Sequence, residues 1–293
     1  MNFWESRFFK NFNYMKLIDG RKIRDEILAG IKKEISGLSF QPVFCDILVG
    51  NDPASVQYVN MKAKIAESVG IKFLDAKFPE STTTEDLISE IKKLNEQENI
   101  CGIIVQLPLP EHINKQEVLN AVDPMLDVDC LGEINSQKFY KSEYALGFPT
   151  ALACIYILDS LNLDLKNKNI VVLGQGELVG RPVSAILKLR KLDIEVLTSE
   201  SEYKEEKIKD ADVIISGIGE GKHLTGDMLK KDVVLLDAGT SESNNSIIGD
   251  VDLDSVKDIA SFVSPVPGGI GPVTIAMLFK NVLIVAKNKN DNK

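Results

Sequence analysis

Asp52 and Pro53, followed by Tyr58 and Lys62, form the first stretch of this 293-residue chain in which residue types and spacing suggest chemistry. Asp52 can cap a helix whose first turn accepts Pro53, and Gly70 is placed to stop it. Tyr58 and Lys62 then fall four residues apart on one helical face, a phenol beside an amine. Val56, Val59, Ala63 and Ala66 follow the helical period and are expected to anchor the opposite side in a core. The only histidines, His112 and His223, are far apart in polar surroundings. A zinc site or a histidine-based triad is therefore not expected, and proton chemistry falls to Lys, Tyr, Asp or Glu. Taken alone, a Tyr and a Lys one turn apart more often form a solvated edge.

Four later stretches add weight. In Val105-Gln106-Leu107-Pro108-Leu109-Pro110, two alternating prolines can continue neither a ladder nor a helix, so Gln106 is held at the end of a strand where its amide can orient a neighbour. In the run 123–130, Asp127 and Asp129 alternate and are expected to point the same way. Gly174-Gln175-Gly176-Glu177-Leu178-Val179-Gly180-Arg181-Pro182 lies between an apolar strand and a helix, where backbone N–H groups can face a phosphate. Its spacing, G-x-G-x-x-x-G, departs from the commoner dinucleotide fingerprint, but the strand-turn-helix setting is the one that motif needs. Finally, the run 264–274 packs three prolines and three glycines into eleven residues, a stiff backbone against which a flat ligand can lie.

The elements needed to position these residues alternate. A short strand and turn over 17–20, a helix to about Ser36, a strand over 43–49 and the Tyr58/Lys62 helix come first. A strand over 72–76, a helix opened by the Thr82-Thr83-Thr84-Glu85 capping signal, and an apolar strand over 102–105 follow. This rhythm specifies an α/β protein with parallel sheets, whose ligands lie at the carboxyl ends of strands. A second unit begins near Phe148. Its strands over 169–173, 194–197, 213–216 and 233–237 end in small or polar residues, as a dinucleotide-binding sheet requires, which places Gly217 and Gly239 beside the cofactor.

Composition narrows the classes further. A formal net charge of −9 without a long basic run argues against nucleic acid as a partner. No apolar run is expected to span a membrane, and residues 1–14, aromatic but carrying Glu5, Arg7 and Lys10, do not form a signal peptide. They are taken as an extension, disordered or loosely packed. Cys45, Cys101, Cys130 and Cys154 are widely spaced without a C-x-x-C, which suggests reduced thiols and a cytoplasmic protein.

Five motifs in this order resemble the bifunctional methylenetetrahydrofolate dehydrogenase/methenyltetrahydrofolate cyclohydrolase family: V-G-N-D-P-A-S-x-x-Y-V-x-x-K at 49–62, V-Q-L-P-L-P at 105–110, D-V-D at 127–129, G-x-x-x-x-V-G-x-P at 174–182 and P-V-P-G-G-I-G-P-V-T at 265–274. The resemblance runs from Met15 to the C-terminus. It implies a catalytic folate-binding domain over 15–147, joined by a terminal helix over 273–293, and a Rossmann-like NAD(P)-binding domain over 148–272, with the folate in the cleft between them. It further implies a homodimer formed through the cofactor domain.

By matching position, the resemblance makes Lys62 the key catalytic residue, Tyr58 its neighbour lining the folate, Gln106 the group that orients Lys62, and Asp129 the acceptor for the pterin. Leu107, Pro108, Gly268, Gly269 and Pro272 are implied at the substrate. Gly174, Gln175, Gly176, Val179, Gly180 and Pro182 are implied at the cofactor, together with Thr198, Ser199 and Thr274. The implied chemistry matches the residues: a lysine in a partly desolvated cleft can shuttle protons near neutrality, while hydride transfer needs mainly a well-placed nicotinamide.

Several positions depart from the family pattern. Arg-Ser after the first glycine of the cofactor turn becomes Gln175-Gly176, and a later His-Ser becomes Thr198-Ser199, near Glu200 and Glu202. Charge pairing for the 2′-phosphate of NADP is thereby missing, so NAD is expected to serve at least as well. K-D-V-D-G reads Leu126-Asp127-Val128-Asp129-Cys130, and P-C-T-P-x-G becomes Phe148-Pro149-Thr150-Ala151-Leu152-Ala153. These changes keep two alternatives open, retention of only one activity and a non-catalytic folate- or dinucleotide-binding protein. An amino-acid or shikimate-type dehydrogenase shares the architecture but does not account for the Tyr/Lys helix combined with V-Q-L-P-L-P.

Overall fold

A computed structural model describes residues 9–12, 15–143, 146–243 and 246–291. The first half of the chain runs through β1 (Phe9–Phe12), β2 (Met15–Ile18), α1 (Gly20–Ile35), β3 (Val43–Val49), α2 (Pro53–Ser68), β4 (Lys72–Phe78), α3 (Thr84–Asn95), β5 (Ile100–Val105), α4 (Lys115–Ala121) and α5 (Glu133–Tyr140). The second half runs through α6 (Pro149–Ser160), β6 (Ile170–Leu173), α7 (Gly180–Leu189), β7 (Ile194–Leu197), α8 (Lys204–Asp210), β8 (Val213–Ser216) and β9 (Val234–Asp237). It ends with β10 (Ser241–Ser243), β11 (Ser246–Ile248), α9 (Leu253–Val256), β12 (Phe262–Ser264) and α10 (Ile270–Asp291). The chain divides into two compact units, Glu26–Phe148 with Leu278–Lys293, and Met1–Asp25 with Pro149–Met277.

In the unit containing Lys62, β3 lies between β4 and β5 in a three-stranded parallel sheet. The central strand is buried along almost its whole length, as an apolar parallel strand should be. Phe44 of β3 meets Phe279 of α10 edge-on, 5.3 Å between ring centroids, which anchors the terminal helix to the sheet. From α10, Asn281 Nδ2 donates to the carbonyls of Val128 and Gly147, both at 2.8 Å, and so pins the turn that carries Asp129.

The other unit holds a sheet that, among the described residues, has the order β1-β2-β12-β9-β8-β6-β7, parallel except for the β1/β2 pair. Its core gathers Val171, Leu173, Ile214, Leu235 and Val263 from the strands with Ile208 and Leu224 from beyond them. Two features differ from the sequence expectation. β2 does not accompany the first catalytic strands but pairs with β12, a three-residue strand too short to betray itself by periodicity. Residues 9–12, expected within a loose extension, pair antiparallel with β2. The remainder of that extension, residues 1–8 and 13–14, lies outside the described residues.

A third difference concerns α10. The sequence reading expects no membrane-length apolar run, yet this 22-residue helix, whose most apolar 18-residue window has a mean hydropathy of 1.6, is long and apolar enough to span a membrane by length and composition alone. Because 67% of its most apolar window is buried within the protein, its hydrophobicity is accounted for by core packing.

Candidate active site

The helix α2 starts as its sequence dictates. Asp52 Oδ2 accepts from Ser55 N at 2.8 Å, and Pro53 occupies the first turn. Its core-facing stripe, however, is Ser55, Val59, Lys62 and Ala66, so Lys62 lies on the buried side rather than opposite it. Tyr58, one turn earlier, stays 42% exposed. The amine can be buried because a carboxylate meets it: Lys62 Nζ is 2.7 Å from Oδ2 of Asp46, at the middle of β3. Lys62 Nζ also donates to Gln106 Oε1 at 2.8 Å.

Gln106 is fixed in turn. It follows the last residue of β5, its backbone N–H donates to Ile47 O at 2.8 Å, and its Nε2 donates to Leu107 O at 2.8 Å. That bond faces the amide oxygen toward the lysine. An ammonium has three donors; Gln106 takes one, while Asp46 balances the charge as an ion-pair partner.

Asp127 and Asp129 do not act alike, because the segment is a turn and strand alternation does not apply. Asp127 is buried and accepts from Gly132 N at 3.0 Å and Leu131 N at 3.3 Å, so it fixes the start of α5. Burial pushes its carboxyl above the ordinary range, and these amides pull it back. Asp129 keeps part of its surface accessible, yet desolvation pushes its carboxyl up to about 6, with the Lys62 charge lowering it and Asp127 and Asp46 raising it. It is thus electrostatically joined to Lys62. Asp46, the partner that the sequence does not disclose, has its carboxyl raised by burial and lowered by the ammonium.

Two of the departures from the family pattern have local physical explanations. Leu126 is buried, an apolar site for an apolar side chain, and Phe148 packs edge-on against Phe139 at 5.0 Å. Cys130 adopts a φ of 60°, a conformation that favours glycine. Cys130→Gly is therefore expected to be more stable than Cys130→Ala by about 1 kcal/mol, although both lose the same thiol. Chemical denaturation of the two variants checks this, and an alanine variant at least as stable as the glycine one would refute it.

In the other unit the glycine-rich turn sits between β6 and α7. Gly174 has a φ of 88°, and a Cβ on Gly180 would collide with the carbonyl of Gly174, so the turn is closed to side chains at the point where the helix starts. The first turn of α7 has no side-chain cap; Arg181 N–H donates to Gly176 O at 3.2 Å, Val183 N–H to Val179 O at 2.9 Å, and Pro182 has no N–H, which leaves Gly180 N–H at the helix start to face an anion. This cradle fits the diphosphate of a dinucleotide. Gln175 folds back, its Nε2 donating to Gly174 O at 2.8 Å and Ser184 Oγ at 3.2 Å. Thr198 and Ser199 follow β7, Gly217 follows β8 and Gly239 follows β9, all at the carboxyl ends of the strands. Thr274 lies in the first turns of α10, its hydroxyl bonded to Ile270 O at 3.3 Å. Gly268, Gly269 and Pro272 belong to this unit too, and the backbone N–H of Gly20 donates to Gly268 O at 3.0 Å to steady their turn.

Two further carboxylates hold these loops and were not singled out from sequence. Asp237 accepts from Gly239 N, Asp250 N and Val251 N at 2.9–3.1 Å. Asp250 accepts from Ser216 Oγ at 2.6 Å, Glu220 N at 2.9 Å and Ile218 N at 3.0 Å. Burial pushes Asp237 up to about 7 against the pull of its amides. Their only sequence signal is a strand ending in Asp and the Gly249-Asp250-Val251-Asp252 run.

A parallel sheet with a glycine cradle at its first strand-to-helix turn, accompanied by a unit carrying a buried lysine among fixed acceptors, defines a nicotinamide-dinucleotide enzyme of the α/β class. The sequence models described as the catalytic domain and the NAD(P)-binding domain of tetrahydrofolate dehydrogenase/cyclohydrolase match residues 18–129 and 149–290, and the chain belongs to that family. It is 38% identical over 276 residues to the bifunctional protein FolD of Staphylococcus aureus, covering 93% of this chain and 96% of that one. The crystal structure of the bifunctional dehydrogenase/cyclohydrolase FolD from Campylobacter jejuni superposes with a TM-score of 0.90 at 34% identity, covering 94% of this chain and 99% of the other. The FolD of Trypanosoma brucei, solved with NADP and an inhibitor, gives 0.89 at 30% identity, covering 95% and 99%.

Proposed function

We propose that the protein oxidises 5,10-methylenetetrahydrofolate to 5,10-methenyltetrahydrofolate with NAD(P) and hydrolyses that product to 10-formyltetrahydrofolate. The observation that carries this reading is the amine of Lys62, buried, bonded to Gln106 and paired with Asp46. Bound NAD(P) supplies the hydride acceptor, and oxidation leaves a cationic carbon between two folate nitrogens. Hydrolysis adds water to that carbon, breaks its bond to N5, moves one proton to N5 and releases one to solvent. Lys62 is the group assigned to hold and move these protons, Gln106 sets its direction, Tyr58 lines the folate, and Asp129 accepts from the pterin N–H groups. Leu107 and Pro108, beside Gln106, and Gly268, Gly269 and Pro272 are assigned to substrate contact.

For the cofactor, the residues from Gly174 to Pro182 are assigned to the diphosphate. Gln175 spends its amide on its own turn, and Glu200 and Glu202 are exposed beyond β7, which supports use of NAD at least as well as NADP. The experiment is to mix the protein with methylenetetrahydrofolate and either cofactor, and to follow the reduced cofactor and the methenyl absorbance separately. Turnover with NAD equal to or above that with NADP, without accumulation of the methenyl compound, is expected. Accumulation would remove the hydrolytic half of the proposal, and a strong NADP preference would remove the assignment of Gln175-Gly176. The resemblance also supports a homodimer through the cofactor unit, a form that light scattering on the same preparation would reject by reporting a monomer mass. The four cysteines are free and buried, which supports a reducing, cytoplasmic setting.

A further inference from the structure

β3 reads Val-Phe-Cys-Asp-Ile-Leu-Val, an apolar central strand interrupted once. Asp46 is fully buried there, its Oδ2 forms an ion pair with Lys62 Nζ at 2.7 Å, and neither of its carboxylate oxygens has a hydrogen-bond partner among the described residues. A carboxylate in that position has nothing to offer the strand. Buried ion pairs are weak contributors to stability, and well-packed apolar replacements of both partners are often neutral or better. What the pair does supply is direction.

Resting on the reading of Lys62 given above, we infer that Asp46 is a positioning residue of the hydrolytic reaction, whose buried charge holds the Lys62 amine against the Gln106 amide oxygen so that its remaining N–H groups face the folate. The register explains how this works. Asp46 lies opposite Ile104 on β5, and Gln106, two residues further along, is tied to Ile47 of the same central strand. Adjacent strands thus present a carboxylate and an amide oxygen at positions set by the backbone ladder, and the lysine bridges them. Neither acceptor can follow the amine if it moves. The amine therefore keeps one orientation without help from the substrate.

The test compares Asp46→Asn with Lys62→Met, using methenyltetrahydrofolate as substrate and the split between kcat and KM as the readout. Asp46→Asn keeps the shape and loses the charge. It is expected to lower kcat for hydrolysis about tenfold or more while KM changes by less than about threefold.

A Lys62→Met enzyme that still hydrolyses the substrate would overturn the role of the lysine. An inactive Lys62→Met enzyme beside an Asp46→Asn enzyme with unchanged kcat would overturn the inference alone. Should Asp46→Asn not fold, the double variant D46V/K62M decides. Recovery of folding shows that the carboxylate is there for the lysine, and failure shows that it serves the strand and overturns the inference.

Discussion

Lys62→Ala is expected to lose hydrolysis of methenyltetrahydrofolate by about a thousandfold, the scale on which removal of a proton-transfer group acts. The loss should fall on kcat more than on KM, since folate contacts are assigned to Tyr58 and Asp129 as well. The substitution also leaves Asp46 buried without its counter-ion, 2.7 Å from where the amine had been. A buried unpaired carboxylate destabilises, so the midpoint of thermal unfolding should drop with the activity, and activity must be measured well below that midpoint. Addition of a methenyl substrate followed at its own absorbance reads the hydrolysis directly. A folded Lys62→Ala protein with undiminished hydrolysis would remove this lysine from the mechanism.

Gly180→Ala is expected to separate the two reactions. The new methyl group would collide with the Gly174 carbonyl and press on Gln175 N, so the turn between β6 and α7 must open. The Gly180 N–H and the turn before it are then displaced, and binding of the dinucleotide diphosphate should fall about a hundredfold or more in kcat/KM for the cofactor. Lys62, Gln106 and Asp129 belong to the other compact unit. Hydrolysis of supplied methenyltetrahydrofolate should therefore persist within about threefold, on the scale of a distant and independent substitution. Equal loss of both reactions would show that the turn does not serve the cofactor alone.

The legible parts of this protein are those in which a local rule decides the outcome. Asp52 caps α2, Thr83 caps α3 with Asp86 N bonded to its hydroxyl, and Gln106 halts at the end of β5, all from short-range chemistry visible in the residues. Lys62 stood out by type, but its burial did not, because the face that a lysine occupies depends on whether a charge awaits it across the sheet. Asp46 is sixteen residues away in sequence, inside a strand whose pattern is otherwise wholly apolar. Nothing local distinguishes a misplaced acid from a counter-ion. The Asp237 and Asp250 clamps were hidden for the same reason, since their partners are backbone amides brought together by loop closure. β12, three residues long, carries no periodicity at all, so the place of β2 beside it could not be read.

The chain passes between its two units at Asp25 and Glu26, at Phe148 and Pro149, and at Met277 and Leu278, and the first and last of these crossings fall inside α1 and α10. The segments recognised as two domains are consequently not two modules. A fragment ending at residue 148 would lack Phe279 and Asn281, and with them the edge contact to Phe44 and both bonds that hold the Asp129 turn. A fragment beginning at residue 149 would lack β2 and leave one edge of β12 unpaired. Recombination between relatives that exchanges either half alone would break these contacts unless both chain ends travelled with it, so a graft of the cofactor unit has to carry the segment from β2 to Asp25 as well as 149–277.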